Sequence, residues 1–513
     1  MNLIPVQNKN SLSYWCSWQA QNIAAVIKGD AERGARDMLD QALVFDKGGY
    51  VHQYSAVRGE MYFLLDDGWD VDFGITPEHS ADRFGSLVVS EQKFPCVKGM
   101  PPDQRLYVIN QTVRSYGWKG LGLWVAAQRS AEDYQAPFSE RDLAYWQERI
   151  LWCRHAGVEY WKVDWGAHAN DNAFRKALTE LAQQLYPALI IEHATCMLPL
   201  NSCEHADPGL QGRYAGEDRV NALAKDTVTF AEVFRSYDVL GALSIPTTLD
   251  RLSCLLPIAK GYINGEDECY ISAALGCSMG VMRSHYDSDK ICEVGDDRTW
   301  RLDEVTAALH WQRIAPPFIG TQTESSKEIL FDEQYFEHGS TWYGNVYGKL
   351  VRQGAPAIIA RNLSVSSVWT EGEIKPYVVA SWHPNGAYSV SVQPRMINGT
   401  RQYPEARVHC SIPSGVTAIA EESRTHTVLS GKYLHLRQTK CSQYIGLLGV
   451  GCDIVLHLPA QPKRVYVQSL LGDRAFALPT EMQGTEITVT KEYAESIFGA
   501  TDRSAPALVL LVE

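Results

Sequence analysis

At four places along the chain a short apolar run ends on a carboxylate: Asp66-Asp67-Gly68-Trp69, Lys162-Val163-Asp164-Trp165, Glu192-His193 and Arg235-Ser236-Tyr237-Asp238. Carboxylates held at strand ends can act as nucleophile, as general acid or base, or as hydrogen-bond acceptors for hydroxyl groups. Strand alternation puts Lys162 and Asp164 on one face. An ammonium beside a carboxylate favours the ionised form of both, which suits a nucleophile that must be deprotonated at neutral pH. Plainer readings stand beside these. Asp66-Asp67-Gly68 is also turn chemistry, Lys162 and Asp164 could form a structural ion pair, and Arg235 could do no more than neutralise Asp238.

The elements that must position these groups alternate between short apolar runs and amphipathic stretches. Strands are expected at 14–19, 61–66, 120–126, 158–164, 188–193, 233–238 and 240–245, with a weaker one at 261–264. Helical spacing joins Leu143, Trp146, Ile150 and Leu151 over 140–156, with Ser139 as N-cap. It joins Phe174, Leu178, Leu181 and Leu185 over 172–186, with Pro187 as the stop. Eight strands with intervening helices predict a closed (β/α)8 barrel, whose catalytic groups sit at the C-terminal strand ends. Beyond about Pro317 helical periodicity fades and short β-runs alternate with turn residues. The expectation is a barrel over 1–317 and an antiparallel β-sandwich over 318–513. On such a barrel, carboxylates on strands four and six suit retaining glycoside hydrolysis, which needs two carboxyl groups roughly 5–5.5 Å apart.

Composition narrows the partners. The chain has 513 residues, 45% hydrophobic and 21% charged, an ordinary globular balance. Its net charge of −13 argues against nucleic acid or an anionic membrane, and a neutral substrate is the easier match. No uninterrupted apolar run suggests a membrane span. The twelve cysteines form no CxxC pair, so a zinc knuckle is not expected. The N-terminal stretch lacks the basic and apolar segments of a secretory signal, and the expected compartment is the cytoplasm.

The ordered motifs over roughly residues 10–285 resemble glycoside hydrolase clan D, the α-galactosidases and their relatives. Tyr14-Trp15-Cys16-Ser17-Trp18 is similar to the first-strand motif, and the resemblance implies that Trp18 lines the sugar pocket. Leu65-Asp66-Asp67-Gly68-Trp69 resembles the second-strand pair, implying that Asp66 and Asp67 bind the O4 and O6 hydroxyls of galactose. Gly122-Leu123-Trp124 matches the third-strand aromatic position, and Trp69 and Trp124 are expected to join Trp18 as pocket walls. Tyr160-Trp161-Lys162-Val163-Asp164 implies Asp164 as nucleophile and Lys162 as a hydroxyl ligand. Glu192 falls where some members contact the 2-substituent, and 266–283 resembles the last barrel helix. Arg235 stands three residues before Asp238, the implied acid/base, where the family pattern has four. Asp207, Glu217 and Asp218 are therefore kept as substitutes.

The reading is thus a retaining α-glycosidase for galactose that needs no cofactor or metal. Rivals are an α-glycosidase for N-acetylgalactosamine, arabinopyranose or glucose, and a carbohydrate-binding protein without turnover. A metal enzyme using Glu192, His193, His205 and Asp207 is the third, although no His-x-His or His-Glu-x-x-His spacing supports it.

Overall fold

The computed structural model describes residues 1–6, 11–28, 34–130, 138–195, 217–236, 244–284, 301–320, 322–328, 356–397, 400–414, 419–423, 432–436, 443–479 and 484–513. Asp207 and Asp238 lie outside them, as does His205, and of Glu217 and Asp218 only the backbone, at the start of a helix, is described. Eight parallel strands close into a barrel in chain order: β1 Tyr14–Cys16, β2 Tyr62–Leu65, β3 Gly120–Val125, β4 Tyr160–Val163, β5 Ile190–His193, β6 Val233–Arg235, β7 Tyr262–Glu266 and β8 Ser278–Val281. β8 returns to β1 with Gly280 opposite Tyr14. The principal helices around it are α1 Trp18–Lys28, α2 Pro102–Ser115, α3 Glu140–Ala156, α4 Asn172–Leu185, α5 Glu217–Phe230, α6 Ser244–Leu255, α7 Cys269–Ala274 and α8 Leu302–Ile314.

Local chemistry sets these boundaries. Ser139 and Asp142 form a reciprocal capping box on α3, which ends on Gly157 in the left-handed region, φ 68°. Two expectations fail in the second half of the barrel. The strand expected at 240–245 meets the start of α6 at Ser244, while 240–243 fall outside the described residues. Ile245, Leu249, Leu252 and Leu255 are all buried there at helical spacing, so packing over three turns sets the period. The single helix expected over 266–283 is three pieces: the end of β7, the short α7, and β8. Gly276, at φ 63°, turns the chain after α7 into the last strand.

Alternation along the strands divides the interior from the helix layer. Tyr14, Tyr62, Tyr160, Ile190 and Val233 share one buried cluster inside the barrel, whereas Trp15, Phe63, Trp161 and Phe234 pack outward against the helices. The tyrosines plug the barrel with ring centroids 5.4 Å apart for Tyr14–Tyr160 and 5.2 Å for Tyr62–Tyr160. Gly280 makes this plug fit, because a Cβ there would stand 2.7 Å from the Tyr14 hydroxyl.

The C-terminal region is a two-sheet sandwich. Its larger sheet runs in the order Phe476–Ala477, Val465–Ser469, Ala507–Val512, Gln443–Leu448, Tyr388–Gln393, Tyr377–Trp382, Ile358–Arg361, Thr323–Ser325. The smaller runs Val368–Glu371, Arg407–Ser411, Asp453–His457, Glu486–Val489, and one apolar core joins the two. The sheets are mixed rather than purely antiparallel: Ile358–Arg361 runs parallel to Tyr377–Trp382, Tyr388–Gln393 to Gln443–Leu448, and Arg407–Ser411 to Asp453–His457. The sandwich lies against α7 and α8, with Arg361 donating to the Phe318 carbonyl at 2.8 Å.

Candidate active site

Beyond the tyrosine plug, towards the C-terminal strand ends, the barrel holds Lys162 and Arg235 among Asp66, Asp164, Glu192 and Glu266, all buried. Lys162, on β4, donates to Asp66 Oδ2 at 2.9 Å and stands 3.5 Å from Glu266 Oε1. Burial and Arg235 press the ammonium towards its neutral form, but Asp66 and Glu266 among its neighbours outweigh them and raise its pKa well above the ordinary value. Arg235, from β6, donates to Asp164 Oδ1 at 3.1 Å and to Glu266 Oε2 at 3.0 Å, so one guanidinium bridges the carboxylates of β4 and β7. Asp164 therefore takes its cation from Arg235, while Lys162 turns to Asp66 and Glu266. The other Asp164 oxygen, Oδ2, accepts from Trp124 Nε1 at 3.1 Å. The Asp164 side chain is 12% exposed and those of Glu192 and Glu266 are 0%, so among these three only Asp164 reaches the barrel mouth.

Glu192 is enclosed. It accepts from Tyr160 at 2.5 Å, Asn264 at 2.6 Å and Tyr14 at 3.1 Å, and burial raises its pKa despite Arg235 and these donors. Asp67 sits apart from this network. It accepts from Arg36 at 2.6 Å and Trp165 Nε1 at 3.0 Å, yet desolvation raises its pKa to about 7 against the lowering effect of Arg36. Trp165 tilts against Trp124 at 5.3 Å and meets Phe84 edge-on at 5.1 Å, while Arg36 lies 5.7 Å over Trp18. Trp18, half-buried at the start of α1, Trp165 and Phe84 thus form an aromatic wall beside Asp67. Trp69 is elsewhere: it packs fully buried in the barrel–helix layer and donates Nε1–H to the Trp124 carbonyl at 2.8 Å.

A second layer holds the end of β4. Arg175, from α4, is fully buried and donates to the carbonyls of Val163 (3.1 Å), Asp164 (3.0 Å), Ala194 (2.8 Å) and Ala169 (2.8 Å). Its Nη1 lies 3.1 Å from His193 Nδ1, whose other ring nitrogen is 2.8 Å from Thr179 Oγ1. Burial and Arg175 hold His193 well below the usual histidine range, so its ring is neutral and occupied on both sides. Among the described residues no group of three or more His, Cys, Asp or Glu side chains is arranged to hold a metal ion. No described helix is long and apolar enough to cross a membrane.

The fold thus brings Asp66, Trp124, Lys162, Asp164, Glu192 and Arg235 into one network, sets Asp67 and Trp18 beside it, and sends Trp69 away. Sequence reading did not single out Tyr14, Arg36, Tyr160, Trp165, Asn264 or Glu266. Asn264 and Glu266 share one face of β7 with Tyr262, alternating with Ile263 and Gly265, so the period of two was the available signal.

No family model matches the chain, and no curated protein does. Among solved structures it is similar to a GH27 β-L-arabinopyranosidase from Geobacillus stearothermophilus (8% identity, 98% of this chain and 96% of that one, TM-score 0.41). It is also similar to a Bacillus halodurans protein described as a candidate α-N-acetylgalactosaminidase (8%, 100% and 99%, 0.39). A third is a candidate α-galactosidase/melibiase from Bacteroides fragilis (11%, 98% and 79%, 0.36). At these identities and scores the likeness settles neither family nor chemistry, which are left to the residues of the site.

Proposed function

We propose that the protein is a retaining α-glycoside hydrolase acting on α-galactosides. The observation that carries this reading is Asp164, a carboxylate reaching the mouth of the barrel while one oxygen accepts from Arg235 and the other from Trp124. The two bonds fix the direction of the carboxylate, as a nucleophile for an anomeric carbon requires. Asp164 attacks that carbon to form a glycosyl-enzyme. Asp238 protonates the departing oxygen and then takes a proton from the water that releases the sugar. Asp66 and Asp67 accept hydrogen bonds from the sugar hydroxyls, and the wall of Trp18 and Trp165 receives its apolar face. Lys162 holds Asp66 in place. Glu192, closed off by Tyr14, Tyr160 and Asn264, serves the charge balance of the barrel rather than the substrate. The test is a panel of aryl α- and β-glycosides: turnover of the α-galactoside with net retention, seen by NMR of the first-formed sugar, is the expected result. Inverted product, or no turnover of any aryl α-glycoside, overturns it.

A further inference from the structure

The outer face of the smaller sheet carries Trp369 on strand Val368–Glu371, directly opposite His409, with His457 one strand further on. The three rings are nearly parallel: Trp369 lies 4.9 Å and 8° from His409, and 5.4 Å and 10° from His457. The two imidazoles are 5.4 Å apart at 12°, with His409 Nδ1 and His457 Nε2 at 3.1 Å. A ring N–H lies in the plane of its ring, so the two imidazoles sit side by side and the indole lies flat across both. One indole face is therefore covered, and the opposite face looks into solvent, with Trp369 39% exposed. Carboxylates flank the base: Glu371 Oε1 is 3.5 Å from His409 Nε2, and Glu486 Oε2 is 3.7 Å from His457 Nδ1.

We propose that Trp369 is a stacking platform for a pyranose ring of a neutral oligo- or polysaccharide, forming a binding site separate from the barrel mouth. An indole already held flat on a rigid base gives up little rotamer freedom when a ligand lands on it, which is where small surface sites otherwise lose affinity. A pyranose matches it chemically. Its C–H face covers the ring, and its hydroxyl rim meets exposed acceptors in Glu371 and Glu486. The same carboxylates, on a chain of net charge −13, repel a polyanion. A protein partner is a poor fit, because interface cores are depleted of charge and this single aromatic is bordered by Glu371, Arg407, Asp453 and Glu486.

The inference draws on the proposed function only for its probe. In native gels cast with galactomannan, the full-length protein is expected to be retarded relative to a gel without polysaccharide, and not retarded by polygalacturonate. Trp369→Ala should need roughly tenfold or more polysaccharide for the same retardation, and Trp369→Tyr should recover part of it. Both variants should hydrolyse a small aryl α-galactoside as the wild type does. An unretarded wild type, equal retardation of Trp369→Ala, or retardation by polygalacturonate overturns the platform. Retardation without turnover of any aryl glycoside would instead leave the platform standing and remove the hydrolase reading.

Discussion

Two buried ionic clusters stand at opposite sides of the same barrel wall. In the site, Lys162 and Arg235 face Asp66, Asp164, Glu192 and Glu266. At the junction with the sandwich, Arg283 and Arg301 face Asp267, Glu268 and Glu304, and Glu304 also accepts from the backbone of Ala505. Both sets pay the desolvation cost of charges taken out of water. They differ in closure. The junction side chains are at most 4% exposed, and Arg283 donates as well to the Asp267 carbonyl, so the cluster holds two parts of the chain together. The site cluster leaves one carboxylate at an opening. Burial of ions is therefore common to scaffold and site, and the member that faces solvent is what separates them.

The sharpest break of this comparison is Asp164→Asn. Turnover of an aryl α-galactoside should fall by roughly 10⁴-fold, the scale of removing a nucleophile, with the thermal midpoint little changed. A folded variant of near-normal rate would put Asp164 with the structural ions. Next is Asp238→Ala. Hydrolysis of a natural disaccharide should drop by roughly 10²–10⁴-fold, formation of the glycosyl-enzyme from an activated aryl glycoside should suffer far less, and azide should restore turnover. If Asp207→Ala, Glu217→Ala or Asp218→Ala behaves this way instead, the acid/base role moves there.

The converse experiment is Arg283→Met. Breaking a buried pair from one side costs on the order of 3–5 kcal/mol, so unfolding in denaturant should shift strongly while kcat of the remaining folded protein holds. Equal loss of kcat would merge the two clusters into one functional unit. The smallest effect belongs to Asp67. Its folded pKa of about 7 lies above the unfolded carboxylate value, so its contribution to stability is full below about pH 4 and is lost as pH rises towards 7. As a hydroxyl acceptor it works best ionised, so kcat/KM should rise through a limb near pH 7. Asp67→Asn should flatten both trends and cost roughly 1.5–3 kcal/mol of productive binding per bond. An unchanged limb in the variant would assign the titration to another group.

The sequence made the early barrel legible because β1 to β6 are short, largely apolar runs, and all but β3 end on or directly before a polar residue. β7 showed only as the weaker strand at 261–264, and β8 hid within an expected helix, each for a physical reason. Tyr262-Ile263-Asn264-Gly265-Glu266 carries polar groups into the barrel, and Ser278-Met279-Gly280-Val281 is kept small at Gly280 by the Tyr14 hydroxyl. Neither looks like an ordinary buried strand. Asp66, Lys162, Glu192 and Arg235 could be picked out as single strand-end residues, but their pairing could not. That Arg235 rather than Lys162 holds Asp164 depends on how far around the barrel each side chain reaches. Trp69 shows the same limit, since the step from strand to turn decides whether an indole faces the mouth or the helices.

The grip of Arg175 makes the reacting end of β4 part of a larger mechanical unit. Its guanidinium ties the carbonyls of Val163, Asp164 and Ala194 to a helix on the outside of the barrel. The strand end that carries Asp164 should therefore exchange its amide hydrogens in step with α4 and the end of β5, and not as a surface loop would. A substitution on the far side of that helix that lets it fray reaches the carboxylate without touching the pocket. Activity lost from such a position would be a failure of anchorage, visible as faster exchange at 163–164 before any change in the shape of the mouth.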